Sequence, residues 1–310
     1  MKSKEKLKKQ RITRDQQKRW TALFLISPAV IFLVGLIAYP LLTVVLDSFK
    51  HVNLVNNSIS GFTGLENYIK VIKNEHFLRS LYNTGIWTIL SVVGEYLLGL
   101  ITAIALNKRL KGIGFFRSLI IIPFVVPIVV AGLTWEWMLS PDFGIVNYLL
   151  VKVGFIENSV NWLGDSNTAL LTVTFVNIWR TFPYYTITLL AALQAIPKDI
   201  IEASAVDGAN MMDRFFKVIF PQLKPVSMVL IGMHIIWTAI NFDFIWVMTE
   251  GGPYYASETL PIQIYRYAMK EYDIGAASAL SSMMMGMMTI GFVIYFYIKK
   301  VRNNKVRGIN

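Results

Sequence analysis

Eight residues on two apolar stretches have side chains suited to holding a small polar solute: Trp179, Arg180, Tyr184 and Tyr185 on one, Trp237, Asn241, Asp243 and Phe244 on the other. Aromatic faces cover C–H surface, while Arg, Asn, Asp and Tyr hydrogen-bond to hydroxyls, the combination a neutral polyol needs. Trp237, Asn241 and Phe244 follow at i, i+4 and i+7, so an unbroken helix would set them on one face. Glu95, Glu136, Arg180 and Asp243 are charges in apolar surroundings, where each faces a cavity or a partner by default. For Arg180 and Asp243, pairing that ties helices together stands level with lining a pathway; Glu136 reads as lying near outer water. Trp and Tyr also form interfacial belts, which suits Trp135, Trp137 and Trp246 better.

Reaction chemistry is thin. There is no Cys, and three His (His51, His76, His234) are too scattered for a metal site. No Gly-x-Ser-x-Gly elbow and no pair of His for a triad is present. No Gly-x-x-x-x-Gly-Lys-Ser/Thr loop exists to cradle a phosphate, so the chain does not hydrolyse ATP by that route. The expectation is a chain that is not an enzyme and holds no metal or cofactor of its own. Met283–Met285 with Gly286, Met287 and Met288 reads as flexible packing, and Gly275–Ala279 as small residues for close helix approach.

What must position these residues is a membrane bundle. Of 310 residues, 55% are hydrophobic and 16% charged, against roughly 45–50% and about 25% in soluble domains. Six stretches are long enough to cross about 30 Å of hydrocarbon: Thr21–Leu46, Thr84–Leu106, Leu119–Leu139, Ala169–Leu190, Val226–Met248 and Ala276–Ile298. Pro28 and Pro40, Pro123 and Pro127, and Pro183 fall inside three of them and predict kinks more than interruptions. Alternate connecting segments carry 22 Lys and Arg on one side and 7 on the other. That places both termini in the cytoplasm, and the basic tails, 1–20 and 299–310, at lipid headgroups and not on nucleic acid. The first apolar block is too long for a signal peptide and reads as an uncleaved span. A short amphipathic helix is expected around Leu65–Ile72 on the outer face. With no convincing internal duplication, six spans are half a pore, which predicts a dimeric membrane core.

Between the fourth and fifth stretches, residues 194–225 form a cytoplasmic segment. Pro197 and Asp199 suit a helix start, Gly208 ends that helix and permits a bend, and a second helix carries Phe215, Phe216, Val218 and Ile219 up to a stop at Pro221. Two helices at a bend, with exposed apolar surface between charges, suit a groove on another protein.

Here the chain resembles the membrane subunits of bacterial ATP-binding-cassette importers. Their signature is Glu-Ala-Ala, three residues, Gly, nine residues, then Ile-x-Leu-Pro. Glu202-Ala203-Ser204, Gly208 and Val218-Ile219-Phe220-Pro221 keep that spacing, with Ser204, Val218 and Phe220 as departures. Trp179-Arg180-Thr-Phe-Pro183, the stretch from Phe242-Asp243 through Thr249-Glu-Gly251-Gly252-Pro253, Ser27-Pro28 and Tyr39-Pro40 are similar to the carbohydrate-uptake branch, in particular its maltose-type first permease. The large inserted outer domain and extra N-terminal spans of the enterobacterial maltose permease are missing.

The resemblance implies an all-α integral membrane fold with six transmembrane helices, a permease domain over 21–298, and a place in the bacterial inner membrane. It implies a second homologous permease, two ATP-binding subunits that hold ATP and Mg, and an extracytoplasmic binding protein delivering an oligosaccharide or related sugar. It further implies that Glu202, Ala203, Ser204, Asp207, Gly208, Phe215 and Pro221 belong to the helix seated in the ATPase. Glycerol-phosphate esters are an alternative cargo, with Arg180 meeting the phosphate, and an ATP-independent carrier is a weaker one.

Overall fold

Proline decides where the apolar stretches run on and where they break. The computed structural model describes residues 2–53, 55, 58–108 and 111–306; Met1 and 307–310, at the ends of the basic tails, lie outside the described residues. Helix α1 (Lys2–Leu33) passes through a π turn, Val34–Ala38, into α2 (Tyr39–Asp47). Pro40 lacks an N–H, and the wider turn just before it absorbs the missing bond, so Pro28 and Pro40 leave the span continuous. A hairpin, β1 (Lys50–Asn53) against β2 (Ser58–Phe62), and α3 (Glu66–Lys73), at the site of the expected amphipathic helix, then lead into α4 (Phe77–Leu106).

The third stretch departs from expectation. It forms α5 (Ile113–Val125) and α6 (Ile128–Met138), bent by 93°. Pro127 breaks the helix where a kink was expected, because the residue before a proline is driven out of helical backbone; Val126 has ψ 129°. Pro123 stays inside α5. After α7 (Ile145–Val153) comes α8 (Ala169–Gln194), which accommodates Pro183.

The segment after α8 begins with α9 (Lys198–Val206), then α10 (Met211–Asp213), a π turn over Arg214–Ile219 and α11 (Phe220–Ala239). Pro221 therefore does not stop the second helix as expected. It occupies the first turn of α11 behind the π turn, and the helix runs on from Met211 to Ala239. The fifth stretch, in turn, ends at Ala239 and not Met248. A new helix, α12 (Asp243–Thr249), starts after Asn241, whose Oδ1 accepts from Phe244 N at 3.3 Å. Helix α13 (Leu260–Tyr265), a third π turn and α14 (Ile274–Val306) complete the chain.

Four described helices, Gln16–Asp47, Phe77–Leu106, Met211–Ala239 and Ile274–Tyr295, are long and apolar enough to cross a membrane, and α5 with α6 makes a fifth if counted as one span. Helix α8 is long enough but more polar, and half of its residues, among them Thr172, Thr174, Asn177 and Thr186, are buried. A Cβ on Gly94 would lie 2.5 Å from Ile178 Cδ1, and one on Gly99 would collide with Tyr185 Cβ, so α4 and α8 approach very closely. The small residues of α14 have the same use. Ala276 and Ala279 are fully buried, and a Cβ on Gly275 would stand 2.6 Å from the Lys50 carbonyl.

Candidate functional site

A cavity of about 140 Å³ opens between α4, α8 and α11, beside the end of α5. Helix α8 contributes Asn177, Arg180, Thr181 and Tyr184, the end of α11 His234, Trp237, Thr238 and the following Asn241, and α4 Glu95. Tyr184, His234 and Trp237 form an aromatic wall with ring centroids 5.1–6.4 Å apart. Behind it Glu95, fully buried, accepts from Asn177 Nδ2 at 2.9 Å and stands 3.2 Å from His234 Nδ1. Arg180 takes no carboxylate partner among the described residues. Its Nε donates to the Val126 carbonyl at 3.1 Å, freed by the Pro127 break, and its guanidinium sits over Phe124 and Phe244. Carbonyls at a helix end attract a cation.

Of the eight residues singled out in the sequence, Arg180, Tyr184, Trp237 and Asn241 line this cavity. The other four do not. Trp179 packs edge-on against Trp135 at 5.3 Å, and Tyr185 is fully buried against His234. Asp243 is exposed in the first turn of α12, and Phe244 is fully buried. The break at 240–242 removes the shared i, i+4, i+7 face. His234 and Asn177 went unassigned in the sequence. Their signal was polarity: a His three residues before Trp237, and an Asn three before Arg180, in apolar runs. Among the described residues no group of three or more His, Asp and Glu could hold a metal ion.

The bend between α9 and α10 is a second feature. Asp199 lies in the first turn of α9, and Gly208 has φ +81°, a left-handed conformation that L side chains resist. Asn210 caps the next helix by accepting from Asp213 N at 2.8 Å. Val206, Met211, Met212 and Phe216 are exposed around it, Val206 by 88%, while Phe215 is partly buried against the bundle. Glu202, Ala203, Asp207 and Pro221 also face outward; Ser204 is buried, its hydroxyl donating to the Ile201 carbonyl at 2.7 Å.

On the opposite connections, the turn after α12 places Glu250, Tyr254 and Tyr255 at positive φ. Asn83 on α4 holds it by donating to the carbonyls of Ala256 and Glu258 at 3.1 and 2.9 Å. Glu258, almost fully buried, pairs with Arg266 at 2.9 Å and accepts from Ser80. Burial pushes its carboxyl above the usual range, with Arg266 pulling it back.

A polar and aromatic cavity inside a helical membrane bundle, with an apolar bend projecting from it, defines a membrane transport subunit. The chain belongs to the binding-protein-dependent transport system inner membrane component family, whose model matches residues 95–303. It is a multi-pass permease subunit of an ATP-binding-cassette importer, and not an enzyme. It is 38% identical to the trehalose/maltose transport system permease protein of Thermococcus litoralis, over 71% of this chain and 74% of the relative. It is 30% identical to the sulfoquinovosyl glycerol transport system permease of Agrobacterium fabrum (94% and 98%) and 33% identical to the sn-glycerol-3-phosphate transport system permease of Yersinia pestis (78% and 82%). A chain of the bacterial importer of the acidic polysaccharide alginate shares the fold, with a TM-score of 0.81 at 19% identity, covering 94% of this chain and 98% of that one.

Proposed function

We propose that this chain forms, with a second homologous permease, the inner-membrane path for an oligosaccharide or related sugar delivered by an extracytoplasmic binding protein. The observation that carries the reading is the cavity wall of Tyr184, Trp237 and Asn241, which offers aromatic faces and an amide to a polyol. Six spans make up the permease domain over 21–298, with α8 as the enclosed one and both basic tails in the cytoplasm among lipid headgroups. The bend from Glu202 to Pro221 seats in one of two ATP-binding subunits, which hold ATP and Mg. Its exposed Val206, Met211 and Met212 supply the apolar contact. A phosphate ester as cargo is favoured by one observation, the absence of a carboxylate partner on Arg180 among the described residues.

Affinity purification of the chain from its native membrane in mild detergent tests the assembly. A second permease and an ATPase should come with it, and Gly208→Asp should release the ATPase while the permease pair persists. A chain recovered alone, or a Gly208→Asp complex that keeps its ATPase and transports normally, sinks the reading. Uptake by the reconstituted complex, competed by maltose and trehalose against sn-glycerol 3-phosphate, separates the two cargoes.

A further inference from the structure

Three helices meet at one carboxylate. Glu95 of α4 takes Asn177 Nδ2 of α8 on Oε1 at 2.9 Å and faces His234 Nδ1 of α11 with Oε2 at 3.2 Å. All three side chains are more than nine-tenths buried. A carboxylate only accepts, so the hydrogen between Glu95 and His234 belongs to Nδ1. The partner of one ring nitrogen fixes the state of the other. In a neutral imidazole the nitrogen that does not carry the hydrogen is an acceptor. Nε2 then carries a lone pair. It is buried and meets no donor among the described residues, a costly state for an acceptor unless something else supplies the hydrogen.

We propose that Glu95 is a positioning residue that holds His234 with Nδ1–H on the carboxylate and leaves the buried Nε2 unpartnered, to accept a hydroxyl hydrogen when a solute enters and the cavity adjusts around it, making the cavity a reader of uncharged polyols. This rests on the reading of the cavity as the transport path. Glu95 acts through His234, setting which ring nitrogen is left for the solute.

Glu95→Gln keeps the shape and reverses the chemistry. An amide NH₂ facing Nδ1 donates to it, the ring proton moves to Nε2, and the acceptor becomes a donor. The full chain in lipid vesicles, ¹⁵N-labelled at histidine and carrying His51→Gln and His76→Gln, reports which His234 nitrogen is protonated. The expected result is Nδ1 in the otherwise unaltered chain and Nε2 in Glu95→Gln. In the assembled transporter, Glu95→Gln should lower uptake of whichever of maltose or trehalose the unaltered complex carries by about tenfold or more. The loss should appear mainly in KM, with subunits still co-purifying and Glu95→Asp restoring part of it. Protonation on Nε2 in the unaltered chain, the same tautomer in both chains, or a reversed tautomer with unchanged uptake overturns the proposal. The cavity's role as the path fails on a different result, normal uptake by Trp237→Ala and Asn241→Ala.

Discussion

Trp237 and Asn241 share the cavity wall while Asp243, two residues on, faces outward. Trp237→Ala and Asn241→Ala should therefore impair uptake with assembly preserved, and Asp243→Asn should transport normally; the three initial rates in one reconstituted system check this. The residue types were legible because tryptophan and asparagine are conspicuous in an apolar run. The facing of Asp243 and Phe244 was not, because it depends on a helix break that Asn241 itself helps to cap, and periodicity assumes no break. The Glu258–Arg266 pair makes a separate residue-scale prediction. Arg266→Met leaves a buried carboxylate unpaired and should cost about 3–5 kcal/mol. A carboxyl held above its ordinary value contributes stability while protonated and loses it as pH rises, so the gap in thermal midpoint between variant and parent should widen from about pH 5 to about pH 8.

Among elements, the α4–α8 pair is the tightest seam, and its glycines are informative. Gly99→Ala sets a methyl against the Tyr185 Cβ and the Thr186 backbone, and should destabilise by about 1–3 kcal/mol. Gly286→Ala on α14 meets nothing within 4 Å and serves as the neutral control in the same unfolding assay. Long helices were legible from hydropathy, as was the start of α9 at Pro197 and the turn at Gly208. Proline outcomes were not. Pro40 and Pro221 sit behind π turns that absorb the lost bond, while Pro127 follows an extended Val126 and its freed carbonyl is taken by Arg180. Identical residues gave a continuous helix or a 93° corner according to what lay before them and which distant donor was at hand. Helix α8 was legible as a long helix because length and pattern outweighed its polarity, and its Asn177 and Arg180 line the cavity.

For the whole molecule, the most apolar window of Gln16–Asp47 has none of its residues buried by the rest of the chain. A helix so placed contacts lipid or a second subunit. Co-expression with the second permease should raise the thermal midpoint of the solubilised chain and protect cysteines introduced at Leu33 or Leu36 from a membrane-permeant alkylating agent. No change in either measurement would mean that lipid alone covers this helix. The bend at Gly208 and the cavity, far apart in chemistry, are joined by one continuous helix from Met211 to Ala239. At 1.5 Å per residue the arm from Met211 to His234 is about 35 Å, so a tilt of about 5° at one end sweeps the other through about 3 Å. That is the length of a hydrogen bond. The gearing converts a movement too small to disturb the bundle into one large enough to part His234 from Glu95, so a stroke at the bend can be felt as an on–off event at the cavity.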